Sequence, residues 1–255
     1  MKLAWGVVAV VSAITISSSA KAAVIQVDEG AFVAGAGQIT FSEKPLGTQN
    51  PVYAPGDYGG GAGSPTVTFG GFFTGQSLGG NVCGGAATGC VIGTPTGPLS
   101  LDANSPVTFI ANDAASPNSP VLSGSPLFNG PIAILFSTPQ TGVGLVGGFF
   151  DNLNSTAITA FGVNGNILGS VSNGQTGEEF LGLVTSDHSA TIDGLLFSLV
   201  GAEAAGFAVD DIRFGVGQQV VSPGVPEPST WAMMLIGFAG LGFVFRQSRR
   251  KVSIA

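Results

Sequence analysis

The feature that most constrains the fold is a series of short apolar runs, rich in β-branched and aromatic residues, separated by clusters of Gly, Pro, Asn and Asp. Such runs predict strands bounded by turns. Outside the two ends of the chain, no window of useful length has a helical period. The body is therefore predicted to be all-β, an antiparallel β-sandwich or jelly roll. The predicted strands are QITF (38–41), TVTF (66–69), PVTFIA (106–111), IAILFS (132–137), GVGLVGGFF (142–150), AITAFGV (157–163), ILGSV (167–171), EFLGLV (179–184), TIDGLLFSLV (191–200) and GFAVDDIRFGV (206–216).

One turn between these runs has a specific signal. The stretch VNGN (163–166) lies between AITAF and ILGSV, and its Asn-Gly pair suits a type I′ turn. We expect a β-hairpin there. The region from residue 45 to residue 130 has more Gly, Ser and Pro and fewer apolar runs, which predicts strands joined by long surface loops within the same domain.

The N-terminal segment has the pattern of a signal peptide. Lys2 supplies a positive charge, the run from Leu3 to Ile16 is apolar, and Ala20 and Ala22 have the small-residue spacing of a cleavage site. We predict export and a signal-peptidase cut after Ala22, which makes residues 1–22 the signal peptide. The alternative is an uncleaved anchor, although the apolar run is short for a membrane span.

The C-terminal segment reads as one short membrane span. The stretch from Trp231 to Phe245 contains no charge, and its 15 residues cover only about 22 Å as a helix, against about 30 Å of hydrocarbon. Starting the helix at Pro228 and anchoring it at Trp231 and Arg246 makes spanning plausible, with the helix at about 229–246. The cluster Arg246, Arg249, Arg250 and Lys251 places the C-terminus in the cytoplasm, and hence the body in the periplasm.

The whole tail resembles the PEP-CTERM sorting signal: Pro226-Glu227-Pro228, a short apolar helix opening at Trp231, and a basic cluster that includes Arg249 and Arg250. The resemblance implies recognition by exosortase of a Gram-negative bacterium and cleavage near the Pro-Glu-Pro triplet. The inner-membrane precursor would then become a cell-surface or extracellular-matrix protein, in bacteria that usually make exopolysaccharide and biofilm. The alternative is a permanent anchor. The predicted organisation is signal peptide 1–22, β-sandwich ectodomain 23–220 and sorting segment 221–255.

The charge balance excludes two classes of partner. Of the eight basic residues only Lys44 and Arg213 lie in the predicted ectodomain, whereas every acidic residue except Glu227 does. A body this acidic cannot neutralise phosphates, which argues against nucleic acid and against attachment to anionic lipid. The chain is 44% apolar and only 9% charged, which is not a disordered composition.

The two cysteines, Cys83 and Cys90, are close in sequence within NVCGGAATGC. In an oxidising compartment such a pair is expected to form a disulfide. No His, Asp or Glu neighbours them as a metal site would need, and the spacing is not C-x-x-C. We predict a structural disulfide that constrains a glycine-rich loop.

The last predicted strand changes its apolar parity at Asp210-Asp211. This requires either a β-bulge with solvated aspartates or an inward-pointing carboxylate. An inward carboxylate would need donors or a cation, and calcium would suit an extracellular site, with Asp151 and Glu43 as candidate co-ligands. The stretches ITFSEKPLGT, GGFFDN and GFAVDDIRFG resemble exported jelly-roll domains, including carbohydrate-binding-like modules with a structural calcium. That resemblance matches Glu43 and Asp211 to ligand positions.

Three functions follow from these observations. The leading hypothesis is a non-enzymatic surface or matrix protein, structural or adhesive, linked to exopolysaccharide. The second is a calcium-dependent carbohydrate-binding module, for which Tyr53 and Tyr58 are the available ring platform because the body contains no Trp. The alternative for these two rings is packing on their own loop. The third is a secreted hydrolase using His188, the sole histidine. Its sequence neighbours Asp187 and Ser189 cannot form a triad with it, and no G-x-S-x-G motif occurs. Apart from calcium, no cofactor is predicted.

Overall fold

The computed structural model describes residues 23–80, 82–88, 90–113, 120–204 and 207–221, together with Met234, Leu235 and Phe238. The predicted signal peptide lies outside these residues, as does nearly all of the predicted sorting segment. The description below therefore concerns the body.

Fifteen β-strands and three short 3₁₀ turns make up this part of the chain. The 3₁₀ turns are Glu29–Ala31, Pro55–Tyr58 and Gly217–Gln219. The strands are β1 (Val24–Val27), β2 (Gly37–Ile39), β3 (Val52–Tyr53), β4 (Val67–Gly70), β5 (Gln76–Gly79), β6 (Cys90–Gly93), β7 (Phe109–Asn112), β8 (Pro120–Ser123), β9 (Ile132–Gln140), β10 (Gly142–Phe150), β11 (Thr156–Phe161), β12 (Ile167–Ser172), β13 (Gly177–Thr185), β14 (Ile192–Leu199) and β15 (Ala208–Gly215).

The strands form two large antiparallel sheets and one small one. The seven-stranded sheet has the order β1-β13-β10-β15-β8-β7, with β2 also paired to β15. The six-stranded sheet has the order β12-β11-β14-β9-β4-β3, and β5 pairs with β6 separately. All recorded strand pairs are antiparallel.

The two large sheets pack face to face over one main core. Aromatic rings join them: Phe150 of β10 lies 6.2 Å from Phe197 of β14, and Phe136 of β9 lies 5.4 Å from Phe214 of β15, between ring centroids. The core cluster contains fully buried aliphatic side chains from both sheets, such as Leu145 and Leu195. The prediction of an all-β antiparallel body with a sandwich-like arrangement is confirmed; the narrower jelly-roll assignment stays a prediction.

Each of the ten apolar runs contributes a strand; the ends agree for β10 and differ by a few residues in the others. Five strands were not predicted: β1, β3, β5, β6 and β8. They have only two to four residues each, too few for an alternating pattern to be recognised. Four of them lie in the glycine- and proline-rich first half or next to it, and β1 directly follows the predicted signal-peptide cut.

The hairpin between β11 and β12 is present, but its turn differs from the prediction. The Gly165 N–H donates to the Gly162 carbonyl over 2.8 Å, and the Gly162 N–H donates to the Asn166 carbonyl over 3.0 Å. Gly165 has a φ of 75°, whereas Asn164 is not among the residues with positive φ. A type I′ turn needs both central residues to be left-handed, so this is a longer loop with glycine at its single left-handed position. The register shift between Ala160 and Phe161 agrees with that geometry.

The beginning and the end of the body meet at one end of the seven-stranded sheet. The Ser186 N–H donates to the Ala23 carbonyl over 2.7 Å, and the Thr141 N–H donates to the Gly215 carbonyl over 2.9 Å. Thr185 N–H joins the two by donating to the Thr141 carbonyl over 2.9 Å. We call this the terminal end of the sandwich. It determines where the sorting segment is attached.

Candidate functional site

The last residues of the body are held by the N-terminal region. Val220 forms an antiparallel bridge with Phe32, and the Val221 N–H donates to the Ala31 carbonyl over 2.8 Å. Val220 is buried in a small cluster with Val27 and Val184. The chain is therefore fixed as far as Val221, and the Cα of Pro226 can lie at most about 18 Å beyond it, the reach of a fully extended chain.

The residues predicted to carry the sorting signal lie outside the described part of the chain. They are Pro226, Glu227, Pro228, Trp231, Arg246, Arg249 and Arg250. Of the predicted membrane helix, Met234, Leu235 and Phe238 are described; they are helical and exposed. No helix within the described residues is long and apolar enough to cross a membrane.

The parity change in β15 is a β-bulge. Leu145 faces Ile212 and Val146 faces Asp210, so Asp211 is the extra residue on β15, and its φ is 21°. Its carboxylate is not buried toward the core. Asp211 Oδ2 accepts a hydrogen bond from Gln38 Nε2 over 3.1 Å and lies 4.0 Å from the Arg213 guanidinium. Burial, and then the neighbouring Asp210 charge, raise the pKa of Asp211 above the ordinary value, while Arg213 opposes the shift.

The four acids considered as calcium ligands do not come together as a site. Glu43 Oε1 accepts hydrogen bonds from the Thr40 N–H and hydroxyl, both over 3.0 Å. Asp210 lines a pocket of 60 Å³ with Asp113 and Glu178, while Asp151 is exposed after β10. Throughout the described residues, no three His, Cys, Asp or Glu side chains form a group that could hold a metal ion.

The proposed tyrosine platform is wrong for Tyr53. Its side chain is fully buried, with edge contacts to Phe41 at 6.2 Å and to Phe69 at 5.8 Å between centroids. Tyr58 is half-buried, donates its hydroxyl proton to the Pro65 carbonyl and packs edge-on against Phe214. Both rings therefore pack with aromatic side chains of the main core and not only with their own loop.

The predicted disulfide between Cys83 and Cys90 is confirmed, with a Cα–Cα distance of 5.7 Å. Cys90 begins β6 within the main core, and Cys83 packs against that core. The loop between them is also tied down by its backbone, since the Ala87 N–H donates to the Glu203 carbonyl over 2.6 Å. The bond therefore connects a surface loop to the core.

His188 lies in the turn between β13 and β14, with a φ of 57°. Its neighbour Asp187 accepts the hydroxyl proton of Ser189 over 2.6 Å and the Ser189 N–H over 3.0 Å. These bonds, Oγ first, hold the pKa of Asp187 below its ordinary value. Ser189 thus donates to the aspartate of its own turn and not to His188, which is the arrangement of a turn cap and not of an activated nucleophile.

Sequence reasoning missed a buried polar network around Glu203. Its carboxylate is fully buried and accepts the Asp151 N–H over 3.0 Å and the Ser155 hydroxyl over 2.5 Å. Asn173, also fully buried, accepts the Ser155 and Thr156 N–H groups over 3.0 Å each. The network fixes the loop between β10 and β11. The only sequence signal was a single acid within GAEAAG, which does not distinguish a buried glutamate from an exposed one.

A cleft with a volume of about 920 Å³ opens at the terminal end of the described body. Its walls come from the tip of the β11–β12 hairpin, the end of β9 and the start of β14. Val163 and Ile167 are 51% and 60% exposed at its rim, and they give it an aliphatic edge. The lining residues are Ala23, Pro139, Gly162, Val163, Asn164, Asn166, Ile167, Leu168, Ala190, Thr191 and Asp193.

Four polar side chains line the same cleft, those of Asn164, Asn166, Thr191 and Asp193. Asp193 is half-buried, and burial raises its pKa although a backbone hydrogen bond from Val163 opposes the shift. Asn164 and Asn166 are exposed, and the side-chain amide of neither forms a hydrogen bond with another described residue. The cleft thus combines one carboxylate with two carboxamides beside an aliphatic rim, an arrangement typical of small-molecule sites. None of these residues was predicted.

Comparison with known proteins identifies the tail and leaves the body unassigned. Residues 224–251 match the family model of the PEP-CTERM protein-sorting motif. No curated protein matches the chain. The match begins three residues after Val221, where the described body ends. The segment therefore carries a PEP-CTERM sorting motif, and the chain is an exosortase-targeted, exported protein that is anchored in the membrane before cleavage.

Proposed function

We propose that the body is a non-enzymatic surface or extracellular-matrix protein, structural or adhesive and associated with exopolysaccharide in a biofilm. Exosortase cleaves its precursor near Pro226-Glu227-Pro228. The observation that carries the proposal is the position of the sorting motif, which begins three residues after Val221, where the described body ends. The precursor is delivered, after removal of residues 1–22, as a folded sandwich on a short tether to the inner membrane.

The short tether has a mechanical consequence for processing. Val221 is hydrogen-bonded to Ala31, so only residues 222–225 separate the fixed body from the Pro-Glu-Pro triplet. The first residue of the triplet, Pro226, therefore stays within about 18 Å of Val221 in the precursor, and Pro228 within about 25 Å. Exosortase must work beside the folded body, and cleavage there removes the membrane helix and the basic cytoplasmic tail while leaving the body intact.

The absence of catalytic activity is part of this proposal, and the local bonding around His188 supports it. The nearest hydroxyl in sequence, Ser189, is engaged with Asp187 over 2.6 Å. Glu203, a fully buried carboxylate, accepts backbone and hydroxyl donors and thus acts as a structural acceptor. Because Glu203 is fully buried, its carboxylate does not face a surface that a substrate could reach.

A saccharide-binding module is the second candidate, and the cleft at the terminal end favours it. Asp193 and the amides of Asn164 and Asn166 can exchange hydrogen bonds with hydroxyl groups, while Val163 and Ile167 can cover the C–H face of a sugar ring. Lys44 and Arg213, the only cations of residues 23–220, do not line it. Asp193 is the charged side chain in the cleft lining, and it would repel the carboxylates of a uronate polymer. A neutral saccharide would therefore fit the cleft better.

Replacing Glu227 by Ala tests the leading proposal. The variant precursor is expected to remain in the inner membrane, while the wild-type body reaches the cell surface or medium. Gln218→Ala is the matched control, because Gln218 is exposed close to the same tether and outside the sorting motif. Normal release of the Glu227→Ala body would contradict recognition by exosortase.

The second candidate is tested separately with Asp193→Asn. Retention of the exported protein on neutral polysaccharide beads should fall at least tenfold in the variant. The exposed Asp28→Asn change serves as a control for net charge. Equal retention of both variants, or no retention of the wild type, would reject the cleft as a saccharide site.

A further inference from the structure

Strand β12 forms an open edge of the six-stranded sheet. It pairs with β11 on one side, and no described strand pairs with its other side. The Asn173 N–H donates to the Thr156 carbonyl over 3.0 Å. In an antiparallel pair every second residue directs its N–H and C=O toward the partner strand, so this bond identifies which residues of β12 face β11. Residues 171 and 169 therefore bond to β11, whereas the N–H and C=O groups of Ser170 and Ser172 point away from the sheet.

These outward groups have no hydrogen-bond partner among the described residues. Strand β1 of the other sheet lies close by, because Val24 packs over Gly169, but no hydrogen bond joins β1 to β12. An edge of this kind exposes a row of donors and acceptors to any strand that can reach it.

The strand also lacks two features that usually protect an edge, although its pairing with β11 shifts register between Gly169 and Ile167. Its sequence, ILGSVS, contains no charge and no proline, and it spans six residues. The opposite edge strand of the same sheet, β3, has only two residues. In the seven-stranded sheet the edge strand β1 has four residues and is followed directly by Asp28 and Glu29, and Phe109 of the edge strand β7 is bridged by Gln49.

The charge distribution restricts what can approach this edge. The body is strongly acidic, but residues 156–173, which form the whole β11–β12 hairpin and its flanks, contain no charged residue. Two copies of the body repel one another over most of their surfaces, and they repel least where two uncharged hairpins meet. A second copy presents the same unpaired groups in the same spacing, so the edge is complementary to itself.

We propose that two copies of this chain associate by antiparallel pairing of β12 with β12 about a two-fold axis, which joins their six-stranded sheets into one continuous sheet. The pairing uses the outward N–H and C=O groups of Ser170 and Ser172. It also brings the exposed side chain of Ile167 near the partner.

The contact is small, and association in dilute solution is expected to be weak. On a crowded surface the effective concentration is higher, and pairing between neighbouring molecules becomes favourable. The proposal therefore gives a route by which exported copies assemble, and it does not depend on how exosortase processes them.

The first test uses Ser170→Pro against Ser170→Ala in the exported full chain, solubilised in detergent and examined by sedimentation velocity. Proline removes the outward N–H of residue 170 without removing a bond to β11. Alanine removes only the side-chain bonds that Ser170 Oγ makes with the Ile158 carbonyl and Thr159 Oγ1. We expect self-association to weaken at least tenfold with proline and to change little with alanine. Equal association of the two variants, or a wild type that is monomeric at all accessible concentrations, would overturn the proposal.

A second set of variants covers the case in which Ser170→Pro fails to fold. Single cysteines at Leu168, Ser170 and Ser172 are oxidised in membranes that contain the full chain, and the products are separated without reductant. Disulfide-linked dimers should form at the position nearest the two-fold axis and be absent with cysteine at Ser77, an exposed residue of β5. Ser170→Glu, which places like charges across the axis, should weaken sedimentation-detected dimers. No cross-link at any of the three β12 positions would contradict the pairing.

Discussion

Ser155 and Glu203 are 48 residues apart in sequence, and the Ser155 hydroxyl donates to Glu203 Oε2 over 2.5 Å at a fully buried position. The same carboxylate accepts the Asp151 N–H through both oxygens, at 3.0 and 3.2 Å. The connection from β14 to β15 is thereby joined to the loop that follows β10. A buried carboxylate is tolerated here because its oxygens are used by donors.

Replacing Glu203 by Gln should lower the free energy of unfolding by about 2–3 kcal/mol, because an amide NH₂ would face donors and charge-assisted bonds would be lost. Chemical denaturation of the exported protein measures this. The control is Asp28→Asn, an exposed change expected to stay within about 0.5 kcal/mol. A Glu203→Gln protein as stable as the control would show that the network does not stabilise the fold.

Because of Tyr53, we expect the folded body to lose stability in alkaline solution. Its hydroxyl is buried without a hydrogen-bond partner among the described residues, and burial, together with the charges of Glu43 and Asp57, raises its pKa well above the ordinary value. The unfolded chain ionises this group at about pH 10 while the folded body does not. Stability is therefore fully present below about pH 10 and falls as the pH rises further.

The variant Tyr53→Phe should lose less stability between about pH 9 and pH 11 than the wild type, with melting temperature as the readout. At neutral pH it should be equal in stability or up to about 1 kcal/mol more stable, since an unpaired buried hydroxyl is removed. Tyr58→Phe is the comparison, because the Tyr58 hydroxyl has an acceptor in the Pro65 carbonyl. The same alkaline decline in wild type and Tyr53→Phe would refute this assignment.

Calcium is expected to leave the melting temperature of the body unchanged. Glu43, Asp151, Asp210 and Asp211 do not form a group of three or more ligands, and Asp211 is engaged with Gln38. Melting curves with millimolar calcium and with EDTA check this. An upward shift with calcium that disappears in Asp211→Asn would restore the calcium-dependent alternative.

The sequence predicted the strands whose patterns are long enough to be recognised. GVGLVGGFF became β10 with its ends unchanged, and the parity change at Asp210-Asp211 correctly indicated a bulge. Short strands such as β3 were not predicted, because two residues are too few to show an alternating pattern. The spacing of the two cysteines was sufficient to predict the disulfide, because a separation of seven residues in an oxidising compartment leaves few alternatives to pairing.

The candidate sites were harder to predict because they depend on long-range packing. The sequence predicts Tyr53 either as part of a ring platform or as a ring packed on its own loop, yet it lies on β3 and is fully buried against Phe41 and Phe69. Asp193, Asn164 and Ala23 meet in one cleft only because β14, the hairpin tip and the N-terminal strand converge at the terminal end. By contrast, the sorting motif is a linear signal, so the sequence alone was enough to identify it.

The central claim is that the tail is a processing signal attached directly to a folded body. Mass spectrometry of the mature protein from the cell surface or medium tests it most directly. We predict an N-terminus at Ala23 and a C-terminus near Pro226-Glu227-Pro228, with the membrane helix and arginine cluster removed. A mature protein whose C-terminal peptide extends intact through Arg250 would contradict exosortase processing.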